Sequence, residues 1–323
     1  MSLCSLPTEL KLMIIEPFRL VHQQSPGSGQ DAITACDQGA STKTLACLAR
    51  VSTSWHAIVI PILYTIYTSP QSRYPRYSLA TPPLAVLYVS RNQDLRNFLD
   101  TVRRRPQLIG HLRKLALGDW HHTMTLAHRT EMLALIAHAP RLHHISLRSC
   151  SLSVLDASNH LVVLHWIVPS RAGFRPTYDT WLECMRSLAH LRATLQVLHL
   201  DGEAVEGFEF NQGIHLKGFE KLHSIRIQQQ LLFGRRRVNA YSLKELLPVD
   251  LKRLEISVCT LPLFPALEGV LMAQCFSKLI FLAVISFWVL KPRRVWKTTF
   301  LSFRKTCSDE GVESRVINQI RQV

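Results

Sequence analysis

Long apolar runs, paired cysteines and catalytic signatures are all missing from this chain. Its 8 cysteines, at 4, 36, 47, 150, 184, 259, 275 and 307, form no C-x-x-C, and no secretory leader opens the sequence. That pattern argues against a disulfide framework or a thiolate zinc site and predicts reduced thiols in a cytoplasmic or nuclear protein. The longest apolar run, Leu279 to Leu290, has 12 residues, short of the roughly 20 that cross a bilayer. A buried strand is predicted there, and no membrane partner. Histidines 121, 122, 128, 138, 143 and 144 crowd together without an H-E-x-x-H, so no metal ligand is assigned. The loop Gly39 to Thr44 lacks a glycine before Lys43, and G-x-S-x-G does not occur. No catalytic residue and no cofactor is therefore expected, and the chain reads as a non-enzyme.

What is present is apolar and basic. An apolar share of 47% over 323 residues suffices for a sizeable core, either two domains or one elongated array. Lys and Arg exceed Asp and Glu by 38 to 23, a formal charge of +15, which suits acidic partners. The densest runs, 103–105, 235–237 and 291–294, carry no RNA-binding signature, so nucleic acid is not the expected partner.

The apolar residues recur with a fixed pattern. Leu142 to Leu152 fills every slot of L-x-x-L-x-L-x-x-[N/C]-x-L, and Leu251, Leu254, Ile256, Cys259 and Leu261 fill it again. Partial copies start at 84, 112, 195, 222 and 279, so the steps between first positions are 28, 30, 53, 27, 29 and 28, with a weak unit Leu161/Leu164/Trp166 inside the long step. Physically, the apolar positions alternate across a short strand, and the Cys or Asn slot turns the chain out of it. The pattern resembles leucine-rich repeats, which implies an α/β solenoid whose strands lie in sequence order in one parallel sheet.

The amino-terminal part is different. Leu6, Leu10, Met13 and Ile14 make an apolar stripe on a helix opened by Pro7 and Glu9, which Pro17 should end or kink. Residues 21–43 have no apolar period and are expected to form a mobile loop. Leu45, Leu48, Val51, Trp55, Ile58 and Ile62 then step at helical spacing. The order L-P-x-E-L, then L-x-x-L-x-x-V-S-x-x-W, then P-x-L-Y resembles an F-box, and with the repeats behind it the chain is similar to the fungal F-box/LRR proteins. The resemblance implies a small all-helical head that binds a Skp-type adaptor, and through it a cullin–RING ligase, by way of Leu6, Pro7, Glu9, Leu10, Ile14, Leu48, Val51, Ser52 and Trp55. It also implies that the repeats hold a substrate for ubiquitination. A scaffold or nucleic-acid-associated protein whose head only caps the solenoid is the alternative.

The expected layout is a head over 1–68, a proline-rich linker over 69–83, the solenoid over 84–311 and a tail over 312–323. Helices are expected at 92–104, 131–139, 177–191, 242–247, 265–275 and 295–306. In the repeats, residues flanking the apolar slots should face one exposed, concave side: Lys114, His144, Arg148, His165, His199, Arg226 and Arg253 are the basic candidates, with Asp201, Gln228 and Glu255 beside them. These predict a modestly positive surface for an acidic or phosphorylated substrate segment, strengthened below about pH 6.5 as histidines protonate.

Overall fold

The computed structural model describes residues 6–23, 44–64, 66–68, 95–118, 126–148, 152–158, 160–168, 185–202, 213–234, 236–288 and 294–320. The chain is mixed α/β and falls into two compact units, Met1–Ser146 and Leu147–Val323.

In the first unit, helix α1 spans Thr8–Gln23, residues 44–48 form α2, and α3 spans Thr53–Leu63. Ser52 caps α3, its Oγ accepting from the Trp55 amide, which satisfies one of the amides a helix start leaves open. Ile15, Leu45, Ala49, Trp55 and Val59 form the core of these helices, with Leu6, Leu48, Ile58, Ile60, Ile62 and Leu63 packed against it. Lys11 is buried as well. Its stem lies along this core, Nζ donates to Ser54 Oγ at 2.9 Å and sits 5.8 Å from the Trp55 ring centroid, so the charge is carried by polar and aromatic neighbours while the methylenes pack.

Strand β1, Ile66–Thr68, pairs in parallel with β2, Lys114–Gly118, at Ile66↔Lys114. Residues 95–104 form α4, with Leu95, Leu99 and Val102 buried, and a 3₁₀ turn follows at Pro106–His111. Arg103 at the end of α4 is paired with Asp100 and with Glu131 of α5, Leu126–His138. The strand β3, His144–Arg148, starts with the amides of His143 and His144 both bonded to the Arg113 carbonyl.

The second unit contains β4 (Val163–Val168), β5 (Val197–Gly202), β6 (Ser224–Gln228), β7 (Arg253–Ser257), β8 (Phe281–Trp288) and β9 (Glu313–Ile320), hydrogen-bonded in that order. Every adjacent pair is parallel. Between the strands lie α6 (185–189), α7 (Gln229–Phe233), α8 (Ala240–Leu246), α9 (Leu263–Met272) and α10 (Arg294–Asp309). Register places Leu164, Leu198, Ile225, Leu254 and Leu282 in one row and Trp166, Leu200, Ile227, Ile256 and Val284 in another. All ten are buried, and each buried aliphatic contributes about 1.5–3 kcal/mol. The loops at the start of the strands repeat one device: the amides of two successive residues share the carbonyl of the preceding rung. Gln196 and Val197 use Val162, Ser224 and His223 use Gln196, Arg253 and Lys252 use His223, and Phe281 and Ile280 use Lys252.

Several expectations need correction. Pro17 does not end α1, which runs on to Gln23, so residues 21–23 of the expected loop are helical; residues 24–43 lie outside the described set, as do the copy starting at 84 and the linker over 69–83. Thr68 closes a strand of the sheet rather than a helical head. The expected tail contains β9, paired with β8 over its full length. The helix expected at 131–139 starts at Leu126, and α10 runs to Asp309; residues 177–184 of another lie outside the described set. Gly311, at φ +71, makes the turn from α10 into β9.

Candidate functional site

Two surfaces collect the candidate residues. The first is α1. A helix turns 100° per residue, so Lys11 and Ile15 share the buried side while Leu10, Met13 and Ile14 share another. That second side is open: Leu10 is 45% exposed, Met13 70% and Ile14 39%, and Val51, in the turn before α3, is 43% exposed. Pro7 and Glu9 are also exposed. Leu6 and Leu48 are half-buried against the helical core, Ser52 serves as the α3 cap, and Trp55 is fully buried. Of the nine candidates, then, Leu10, Ile14, Val51, Pro7 and Glu9 present surface; Trp55, Leu48, Leu6 and Ser52 support it from beneath.

The second surface is the polar face of the sheet in the second unit. Register aligns His165, His199, Arg226 and Glu255 on successive strands. Arg253 lies two residues earlier on β7, aligned with Ser224 and Phe281. Asp201, two residues after His199 and hence on the same face, binds across both neighbouring strands: its carboxylate is 3.5 Å from His165 Nε2 and 3.4 Å from Arg226 Nε. The His165 and His199 rings meet edge to face at 5.8 Å. Arg253 pairs with Glu255 at 2.7 Å and lies over the Phe281 ring, 4.1 Å from its centroid.

This geometry changes the expected electrostatics. The Arg226 and Arg253 charges are met by Asp201 and Glu255, so these four side chains together add no net charge to the face, and Arg315 of β9 shares the row of Arg226. Burial, and then His165 and Arg226, push the His199 imidazole from its ordinary 6.5 down to about 4, against the opposite pull of Asp201 and Glu255. His199 is therefore held neutral from pH 6.5 down to about 4, so it does not add the charge expected of it just below pH 6.5. Lys114 and His144 belong to the first unit and are half-buried, with burial lowering the Lys114 pKa. Arg148 ends β3, and its side chain lies outside the described set.

Sequence reasoning assigned no role to the Gln229 clamp. This buried side chain accepts from the Thr260 amide and donates to Thr260 Oγ1, both at 2.7 Å, tying the turn after β6 to the turn after β7. Cys259, in the cysteine slot, is buried and donates to the Ile256 carbonyl at 3.1 Å. Burial drives its thiol pKa strongly up, so it turns the chain and is no nucleophile. Cys150 lies outside the described set. Among the described residues no group of His, Cys, Asp and Glu is arranged to hold a metal ion, and no helix is long and apolar enough to cross a membrane.

No family model, curated protein or solved structure matches the chain.

Proposed function

We propose that the protein is the non-catalytic substrate-recognition subunit of a Skp–cullin–F-box ubiquitin ligase, with its helical head on the adaptor and its strand array, read as leucine-rich repeats, on the protein to be ubiquitinated. One observation carries the reading: α1 keeps Leu10, Met13 and Ile14 in solvent on one side while the helical core is complete without them. Apolar side chains gathered on one helix face and left outside a finished core are characteristic of an interface. Leu10 and Ile14 are among the positions where the resemblance to an F-box expects adaptor contact.

The test separates contact from support. Ile14→Glu with Met13→Glu alters only exposed positions, so the melting temperature should stay near that of the wild type, while recovery of a co-expressed Skp-type adaptor should fall at least tenfold. Each apolar anchor at the centre of such an interface is worth about 2 kcal/mol or more. Undiminished recovery with the folded double variant would remove the adaptor from the reading and leave the alternative, a repeat scaffold with a helical cap.

A further inference from the structure

The net charge that Arg226 and Arg253 do not add to the polar face of the sheet is found at the edge where the strands of the second unit begin. The turns before β5, β6, β7 and β8 carry Arg192, Lys217, Lys221, His223, Lys252 and Lys278, all exposed except the half-buried His223. The backbone stacks them. The Glu220 amide bonds to the Arg192 carbonyl at 3.2 Å, the Lys252 amide to the His223 carbonyl at 2.9 Å, and the Ile280 amide to the Lys252 carbonyl at 2.9 Å. The Arg192 side chain lies against Gly218, where an added Cβ would stand 3.7 Å from Nε, so it is drawn in beside Lys217. In the turns before β5 to β8 five permanent cations face two carboxylates, the exposed Glu220 and an Asp250 already bonded to Lys278 at 2.7 Å, whereas the turn into β9 is acidic, with Asp309, Glu310 and Glu313 exposed. On the neighbouring face, by contrast, Arg226 and Arg253 each have a carboxylate beside them, Asp201 and Glu255.

We infer that this strand-start edge is where the second unit takes an acidic, extended peptide segment, the part of a substrate protein that the receptor reading requires; the inference rests on that reading. Adjacent rungs of a sheet are about 4.8 Å apart, so four turns span about 14 Å. An extended chain rising about 3.4 Å per residue crosses that distance in roughly four residues, which suits a short run of Asp or Glu. The edge does not suit nucleic acid: the rings within its turns, Phe219 and Phe276, are buried, and the Arg253 guanidinium lies over Phe281, so no exposed ring stands among the lysines for a base to stack on.

The experiment uses the full chain and a fluorescein-labelled octaglutamate peptide, with binding followed by anisotropy against salt concentration. Lys221→Glu with Lys252→Glu should weaken binding at least tenfold and flatten its salt dependence. Arg304→Glu with Lys305→Glu, exposed on α10, should leave it unchanged. If the charge-reversed protein melts early, Lys221→Ala with Lys252→Ala replaces it, with a loss of at least threefold expected. Wild-type affinity in these variants, or no peptide binding at all, overturns the inference. So does tighter binding of a twelve-residue oligothymidylate that is lost in the same variants, which would mark the edge as a nucleic-acid surface. Adaptor recovery, scored separately, reports on the receptor reading: its loss with peptide binding intact would sink that reading and leave the edge standing, and the reverse result would sink only the edge.

Discussion

The helices of the head and the strands of the second unit dispose of apolar residues in opposite ways. The head builds its core from five buried residues, two of them, Trp55 and Val59, on one helix, and leaves Leu10, Leu12, Met13, Ile14 and Val51 substantially exposed. The second unit buries the leucines and isoleucines described on its strands, and pairs Arg226 with Asp201 and Arg253 with Glu255 on its polar face. It scatters its exposed apolar residues, Tyr241, Val249, Val258, Met272, Ile280 and Leu301, over separate turns and helices instead of gathering them on one. A surplus of apolar surface and a closed core indicate different partners. The first suits a surface that buries it; the second offers no such gathered stripe, which is why the proposed recognition there rests on charge.

The largest effects should come from attacking the two cores. Trp55→Ala removes the widest side chain of the smaller core, at a cost of about 3–5 kcal/mol. With only five residues in that core, the head should lose its cooperative unfolding transition, and adaptor recovery with it, as followed by calorimetry and co-purification. Leu254→Ala, in a fully buried slot of β7, costs about 2–5 kcal/mol, yet the second unit should keep its strand content by circular dichroism because the neighbouring rungs retain their contacts. Equal and complete unfolding in both variants would erase the contrast.

A smaller effect tests whether His199 on the polar face is neutral. His199 is depressed to about 4 in the folded chain against an ordinary 6.5, so between these values the unfolded chain binds more protons. Stability should therefore fall as pH drops from 6.5 toward 4 and lose no more on this account below 4. A shift of this size corresponds to about 1–3 kcal/mol. Denaturant titration across that window should show a slope that His199→Gln removes. A slope of the opposite sign would mean that Asp201 and Glu255 outweigh burial and hold the imidazole protonated.

Much of this was legible in the residues and some of it was not, for physical reasons. Slots such as Leu198/Leu200 and Leu254/Ile256 announce themselves because a strand buried on one side must repeat apolar residues at period two. The strand β9 is silent because the positions facing Leu282 and Val284 are Ser314 and Val316, so half the signal is missing. Pro17 misled because a proline weighs against a helix interior, yet this one sits on the exposed side of α1, where losing one backbone bond is tolerated. Periodicity also located the stripe of α1 without revealing which way it turns: Lys11, with a long apolar stem, took the inner side beside Ile15. The charge pairing on the polar face was hidden for another reason. Asp201 and Glu255 were visible as residues on that face, but which charge meets which depends on cross-strand register, and the spacing of one strand does not carry it.

The smallest prediction concerns the turn that follows β7. Val258 holds φ at +56°, a region in which a β-branched side chain is strained, and it does so between Ser257, buried at the end of the strand, and Cys259, whose thiol bonds back to Ile256. Thr260, two residues on, is held at both its amide and its hydroxyl by Gln229. The turn is thus pinned from both ends, and Val258 has no freedom to relax. Because Val258 is 37% exposed, its side chain contributes little packing to offset that strain. Val258→Gly removes the Cβ clash and should raise stability, but glycine also gains freedom in the unfolded chain, so the net increase should be at most about 1 kcal/mol, read as a rise of a few degrees in melting temperature. Pairing the change with Gln229→Ala sharpens the reading. Once the clamp is gone the turn can relax with valine in place, and the benefit of glycine should shrink; an undiminished benefit would place the strain in the strand end rather than in the clamp.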